Sequence, residues 1–323
     1  MPRYKVTLSY DGSNYGGWQK QMNTHSIQEE IERTLERIVK EPVSIHASGR
    51  TDAGVHALAQ VFHFDSNKNL SNENWKRALN SLLPKDIRIQ QVETVSDTFH
   101  ARFDAAGKRY DYLISEDVLN PFYERYMAKD RAHLDVAYMQ ECANVFIGTH
   151  DFTSFTSSKL DPRKPRIKTI HRLEVRKEKH AVRLIFEGNG FLRYMVRMIS
   201  QTLIEAGKHK LTKEDIMQML EAKDKHVCRY KADAQGLYLV KVNYKNLTGI
   251  TLQLYKVNLP VTSAVLQNRT THFESKYARL QREEHFSLKP TTDYLNVDTT
   301  LTIQAPQAGI YFLKAVPDGK KGG

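Results

Sequence analysis

The chain has 323 residues, 40% of them hydrophobic and 26% charged, with a formal net charge of +11. This composition excludes a disordered or fibrous chain and allows one to three domains with a sizeable core. No apolar run is long enough to span a bilayer, no signal-peptide core follows Met1-Pro2-Arg3-Tyr4-Lys5, and Cys142 and Cys228 stand alone, so the expectation is a cytoplasmic protein with reduced thiols, no membrane association and a polyanionic partner, nucleic acid above all.

In chain order, Tyr4, Val6, Leu8 and Tyr10 alternate with polar residues and predict a half-buried strand ending at Asp11-Gly12. The loop that follows, residues 13–21, is rich in glycine and aromatics. Trp18 there reads either as a plug for a core or as a surface for stacking bases. Ser26-Ile27-Gln28-Glu29 has the form of a capping box, and Ile27, Ile31, Leu35 and Val39 recur at helical spacing, so residues 26–40 are expected to be an amphipathic helix.

Two strand-like segments, 43–47 and 58–64, then flank Ser48-Gly49-Arg50-Thr51-Asp52-Ala53-Gly54-Val55-His56-Ala57. This loop between strands holds one cation, one hydroxyl and one carboxylate between two glycines. It reads as a polar turn with Arg50 paired to Asp52, or as a functional loop carried on a rigid scaffold. A helix over 72–83, with Trp75, Leu79 and Leu82 inward, and a strand over 86–95 complete a first α+β unit.

The second half repeats the mixture. On a strand over 108–114, Tyr110, Tyr112 and Ile114 share one face, as core residues or as a stacking surface. Asp135 to Ile147 is expected to be a helix. Residues 159–168 are basic, marked by prolines and without period, which makes them a loop and a candidate for phosphate contacts. Strands over 170–177 and 181–187 precede a helix opened by Gly188-Asn189-Gly190 and running through Ala206. Arg193 and Arg197 would share a face of that helix, and Arg197, set among apolar residues, requires a carboxylate or phosphate partner. A helix start at 212–215 and a strand over 235–242 close the unit.

The fold class expected is therefore α+β. Two similar sub-domains, 1–104 and 105–246, would set mainly antiparallel sheets in one continuous surface with helices on the outer face. Residues 247–323 form a threonine-rich C-terminal extension of different character, in which Gly309-Ile310-Tyr311-Phe312-Leu313 echoes Gly236-Leu237-Tyr238-Leu239-Val240.

Several segments, in this order, resemble the tRNA pseudouridine synthase A family. They are Tyr10-Asp11-Gly12 with Tyr15-Gly16-Gly17-Trp18-Gln19, Gly49-Arg50-Thr51-Asp52-Ala53-Gly54-Val55-His56, and Phe99-His100-Ala101-Arg102-Phe103. Arg109-Tyr110-Asp111-Tyr112, His150-Asp151-Phe152-Thr153-Ser154-Phe155, Gly190-Phe191-Leu192-Arg193-Tyr194-Met195-Val196-Arg197 and Gly236-Leu237-Tyr238-Leu239 continue it. The likeness spans 3–244 and leaves the extension outside. It implies the pseudouridine synthase fold and an isomerase that converts uridines 38, 39 and 40 of the tRNA anticodon stem-loop to pseudouridine. It also implies no cofactor or metal, and a homodimer whose basic clefts hold tRNA.

By motif, the resemblance implies Asp52 as catalytic carboxylate, Tyr110 as a second catalytic residue whose ring stacks on the target base and whose hydroxyl could help remove the C5 proton, and Arg197 as the partner of Asp52. Arg50 would help to flip the base, and Leu237 would pack beneath the site. Arg197 is expected to keep Asp52 ionised by lowering its pKa. The other readings are the same chemistry on another RNA, or a non-catalytic RNA-binding protein in which Asp52 is dispensable.

Overall fold

The computed structural model describes residues 1–116, 121–157, 165–244, 249–257, 278–287 and 311–317. Two compact units divide the chain, Met1–Tyr244 and Lys245–Gly323.

The first unit opens with β1 (Arg3–Tyr10), α1 (Ile27–Val39), β2 (His46–Ala47), β3 (His56–Asp65), α2 (Asn72–Leu82) and β4 (Ile87–Val95). It continues with β5 (Ala105–Ser115), β6 (Ala128–Lys129), α3 (Val136–Ala143), β7 (Gly148–Asp151), β8 (Ile167–Lys177), β9 (Val182–Gly188), α4 (Met195–Gly207), α5 (Lys213–Ala222) and β10 (Leu237–Tyr244). All ten strands join one sheet, in the order β4-β1-β3-β10-β5-β9-β8-β7, with β2 beside β3 and β6 beside β5. The expected continuous, mainly antiparallel sheet is thus present. The N-terminal strands β4-β1-β3 meet the C-terminal strands through one parallel pairing, Tyr238 with His56 and Leu239 with Ala57.

The helices form where caps and periodicity favour them. The Ser26 hydroxyl accepts the Glu29 N–H at 3.3 Å, and Ile27, Ile31 and Leu35 of α1 are buried. Thr212 and Asp215 make a full capping box on α5. On α2, Trp75 meets Phe64 edge-on at 5.2 Å, and Phe64 stacks on Tyr4, which closes the core between helix and sheet. Trp18 is 2% exposed, so the core-plug reading holds. Leu82 does not face inward: it is 36% exposed, in the last turn of α2.

Two helix limits also differ from expectation. α3 ends at Ala143, and a 3-10 turn over Asn144–Phe146 takes up the remainder, still burying Phe146. α4 starts at Met195 rather than near residue 190, because Tyr194 takes a left-handed backbone with φ 66°. Arg193 therefore precedes the helix that carries Arg197.

Cys142 and Cys228 are free and buried. Among the described residues no helix is long and apolar enough to cross a membrane. Of the basic loop expected at 159–168, residues 159–164 lie outside the described residues, and Ile167 and Lys168 are not loop but the first residues of β8, paired with Asp151 and His150 of β7.

The second unit contains β11 (Gly249–Val257), β12 (Ala278–Ser287) and β13 (Tyr311–Pro317), in an antiparallel sheet with β11 at the centre. Gly309 and Ile310 of the echo lie outside the described residues; the remainder falls in β13.

Candidate active site

The loop between β2 and β3 is fixed by backbone contacts to β1 and the turn after it. A Cβ on Gly12 would lie 2.0 Å from the Val55 carbonyl oxygen, so only glycine permits the approach. Gly54 has φ +77°, the left-handed region that glycine enters freely, and its N–H donates to the Tyr15 carbonyl at 3.3 Å. Thr51 Oγ1 is 2.7 Å from the Tyr10 hydroxyl, and the Trp18 N–H donates to the Thr51 carbonyl at 3.1 Å. Val55 N–H returns to the Asp52 carbonyl at 3.2 Å, which places Asp52 at the turn itself.

Two arginines converge on the Asp52 carboxylate. Arg197 Nη1 is 3.7 Å from Oδ2 and Arg193 Nε is 4.0 Å from Oδ1. Arg197 is the better held: its side chain is 11% exposed, its Nε donates to the Ala232 carbonyl at 2.7 Å, and its carbonyl accepts the Ala232 N–H at 3.0 Å. This double link brings the segment before β10, with Lys231, to the site. The pairing expected between Asp52 and Arg197 is therefore present in the geometry, and the alternative with Arg50 is not. Arg50 is exposed, and no ion pair among the described residues includes it.

The electrostatic expectation holds in part: Arg197 does lower the Asp52 pKa, but burial acts against it and is the larger effect. Burial raises the Asp52 pKa above the usual aspartate value, and the charges of Arg197, Arg193 and Lys231 offset only part of that rise. Arg197 Nη1 and Arg193 Nε stand 3.7 and 4.0 Å from the carboxylate oxygens.

Tyr110 lies on β5 opposite Phe186 of β9 and Leu239 of β10, and its ring meets Phe191 edge-on with centroids 5.4 Å apart. Burial, with the nearby charge of Asp52 adding to it, drives the phenol pKa up, so the hydroxyl stays protonated at neutral pH. Leu237, buried at the start of β10, pairs with Tyr112, so Tyr110, Tyr112, Leu237 and Leu239 share one face of the sheet.

The structure thus pairs Asp52 with Arg197, sets Tyr110 near enough to feel the Asp52 charge, and places Leu237 on the sheet face that carries Tyr110. Sequence reasoning missed Arg193 as a second contact of Asp52, although the pair Arg193 and Arg197 was visible. It missed Lys231 altogether; the only local signal was the basic and aromatic run Arg229-Tyr230-Lys231. Among the described residues no group of three or more His, Cys, Asp or Glu side chains is placed to hold a metal ion.

A family model described as tRNA pseudouridine synthase matches residues 7–104 and 142–245. The chain belongs to the tRNA pseudouridine synthase family. Asp52, Arg193, Arg197, Lys231 and Leu237 lie within the matched segments, and Tyr110 falls between them. Curated relatives named tRNA pseudouridine synthase A include one from Exiguobacterium sp., 44% identical over 76% of this chain and all of its own length. Those from Oceanobacillus iheyensis and Limosilactobacillus reuteri are 41% and 40% identical over 76% of this chain, covering 98% and 97% of theirs. Among solved structures, a chain of a Cbf5-Nop10-Gar1 complex aligns with TM-score 0.33 and 11% identity, covering 74% of this chain and 49% of that one, a likeness too slight to bear on the chemistry. The pseudouridine synthase match ends at residue 245, beside the boundary between the two compact units.

Proposed function

We propose that Asp52 is the catalytic carboxylate of a tRNA pseudouridine synthase of the A type, acting on uridines 38, 39 and 40 of the anticodon stem-loop. As a member of its family, the protein isomerises uridine in tRNA to pseudouridine. The observation that carries the Asp52 assignment is a single half-buried carboxylate, held at a glycine-bounded turn and flanked by Arg197 and Arg193 at 3.7 and 4.0 Å.

The reaction conserves every atom. A uridine within a stem is out of reach, so it is first flipped from the stack. The N1–C1′ bond breaks, with its electron pair leaving on the uracil ring. The ring turns in place, C5 bonds to C1′, a proton leaves C5 and one is gained at N1. The sugar is electron-poor between the two bonds, and a carboxylate beside it meets that demand directly. The uracil stays in the pocket and recombines, so no water has to be activated. Tyr110 would hold the ring against the apolar face it shares with Leu237, and exposed Arg50 would meet the RNA. In this reading residues 1–104 and 105–246 are the two sub-domains, 247–323 is an added segment, and the enzyme works in the cytoplasm as a homodimer on tRNA.

The test uses tRNA labelled with tritium at uracil C5. Asp52→Asn and Asp52→Ala are expected to lower tritium release by at least about 10³-fold while tRNA still binds in a gel-shift assay. Turnover retained in either variant would overturn the assignment and leave RNA binding as the reading.

A further inference from the structure

Tyr194 is the residue just before α4, with φ 66° and ψ −4°. An aromatic side chain in the left-handed region is unfavourable, and such conformations gather at functional sites. Here the turn sets the ring among three cations. Arg193 Cζ, Lys231 Nζ and Arg197 Cζ lie 4.8, 4.9 and 5.5 Å from its centroid. All three fall within the roughly 6 Å reach of a cation–π contact. The Arg193 Nη2 also donates to the Tyr194 hydroxyl at 3.0 Å.

These are the same three cations whose charge opposes the desolvation of Asp52. They arise from separate places: Arg193 before α4, Arg197 within it, and Lys231 on the segment leading to β10. Like charges brought together repel, so something must gather them. The carboxylate faces two of them at 3.7 and 4.0 Å, and the negative face of the Tyr194 ring faces all three.

We propose that Tyr194 is a positioning residue of the active site, whose ring assembles Arg193, Arg197 and Lys231 around Asp52. The inference rests on Asp52 being the catalytic carboxylate. With the ring present, Arg193 and Lys231 are held beside Asp52 although both are exposed. Without it, the two long side chains disperse into solvent and Arg197 alone remains, tied to Ala232. The charged and titratable groups that face Asp52 are then Arg197 and, from β5, the protonated Tyr110.

Three variants test this in the full chain. Tyr194→Phe keeps the ring and should retain most of kcat. Tyr194→Leu should lower kcat about ten-fold, with KM moved less, and should shift the acid limb of the kcat/KM profile to higher pH. Tyr194→Gly accepts the left-handed turn without strain, which offsets part of the packing lost with the ring, so its kcat loss should exceed what any change in Tm accounts for. A purely structural role predicts that activity follows Tm, with kcat and the acid limb unchanged in the glycine variant, and that result would overturn the proposal. So would a loss confined to KM, which would make Tyr194 an RNA contact. Asp52→Asn assayed alongside separates the two claims: an active Asp52→Asn enzyme removes the carboxylate assignment itself, whereas an inactive one with a fully active Tyr194→Leu removes only the positioning role.

Discussion

His56 stacks on Tyr238 with ring centroids 4.9 Å apart and planes inclined by 24°, at the one pairing that joins the two halves of the sheet. His56 is also the residue on which the Asp52 loop becomes β3. Its Nδ1 accepts the Gly12 N–H at 3.1 Å, and its Nε2 is 3.1 Å from the Arg125 carbonyl. An Nδ1 that accepts cannot also donate to Asp11, so the 3.2 Å approach of Asp11 Oδ1 does not make His56 an imidazolium. Burial lowers its pKa in the same direction. His56→Ala removes the stack and both hydrogen bonds. The expected cost is about 2–4 kcal/mol, read as a lower midpoint in denaturant, together with reduced tritium release because the loop loses its C-terminal anchor.

The raised pKa of Asp52 fixes two outcomes of known sign. If the ionised carboxylate does the chemistry, the acid limb of kcat/KM lies above the usual aspartate value, and Arg197→Gln moves it further up while lowering kcat. An acid limb at or below the ordinary aspartate value would contradict the burial that dominates this site.

Stability should respond in the opposite sense to activity. A carboxylate whose folded pKa exceeds its unfolded one opposes folding at every pH where it is ionised. Asp52→Asn is therefore expected to hold or raise Tm at neutral pH as it abolishes turnover. A clear drop in Tm would show that the contacts with Arg193 and Arg197 outweigh desolvation.

His63 carries a further prediction, about acid stability. It is buried, stacks on His46 at 5.1 Å, meets His100 edge-on at 4.8 Å, and accepts the Ala101 N–H on Nδ1 at 3.1 Å. Burial, with Arg3, His100 and His46 nearby and Asp65 opposing them, pushes its pKa down to about 4. The unfolded chain takes up this proton near pH 6.5 and the folded chain only near pH 4. Stability should therefore decline as pH falls from about 6.5 toward 4 and lose no more from this group below that. His63→Asn, which keeps an acceptor for Ala101, should flatten this decline in Tm measured against pH.

Gly12→Ala tests how closely the loop is held. The new methyl group would meet the Val55 carbonyl oxygen at 2.0 Å, backbone against backbone, so the loop has to move. An expected loss of about 1–3 kcal/mol should appear as a fall in Tm of several degrees, with a larger proportional loss of activity than of stability.

Much of this was legible in the sequence because it is local. Alternation in β1, the cap at Ser26, the period of α1 and the stop before β4 all express themselves within a few residues. Pairing of Asp52 with Arg197 was legible only through the need of an interior arginine for an anion, joined to a motif resemblance. What sequence did not convey depends on distances between segments remote in the chain. Desolvation of Asp52 arises from neighbours packed around it and outweighs the charges that spacing suggested. The start of α4 moved because one residue, Tyr194, adopts a backbone conformation that helical periodicity does not encode. Lys231 reaches the site on a segment that Ala232 ties to Arg197 by two hydrogen bonds, a contact between residues 35 apart in the chain.

The strand order also constrains how the protein is made. β10 is the last strand of its unit in the chain, yet it lies in the interior of the sheet, between β3 and β5. A ribosome releases β1, β3 and β4 long before it releases the strand on which β3 must close. During that interval His56 and Ala57 of β3, and β5 from Ala105 to Tyr112, lack the neighbour that β10 supplies, and the turn that carries Asp52 lacks its stack on Tyr238. Closure by the final strand is a long-range event of the kind that slows folding and exposes strand edges to other chains. A nascent chain stalled before residue 237 would thus carry every residue of the catalytic loop and still have no assembled active site.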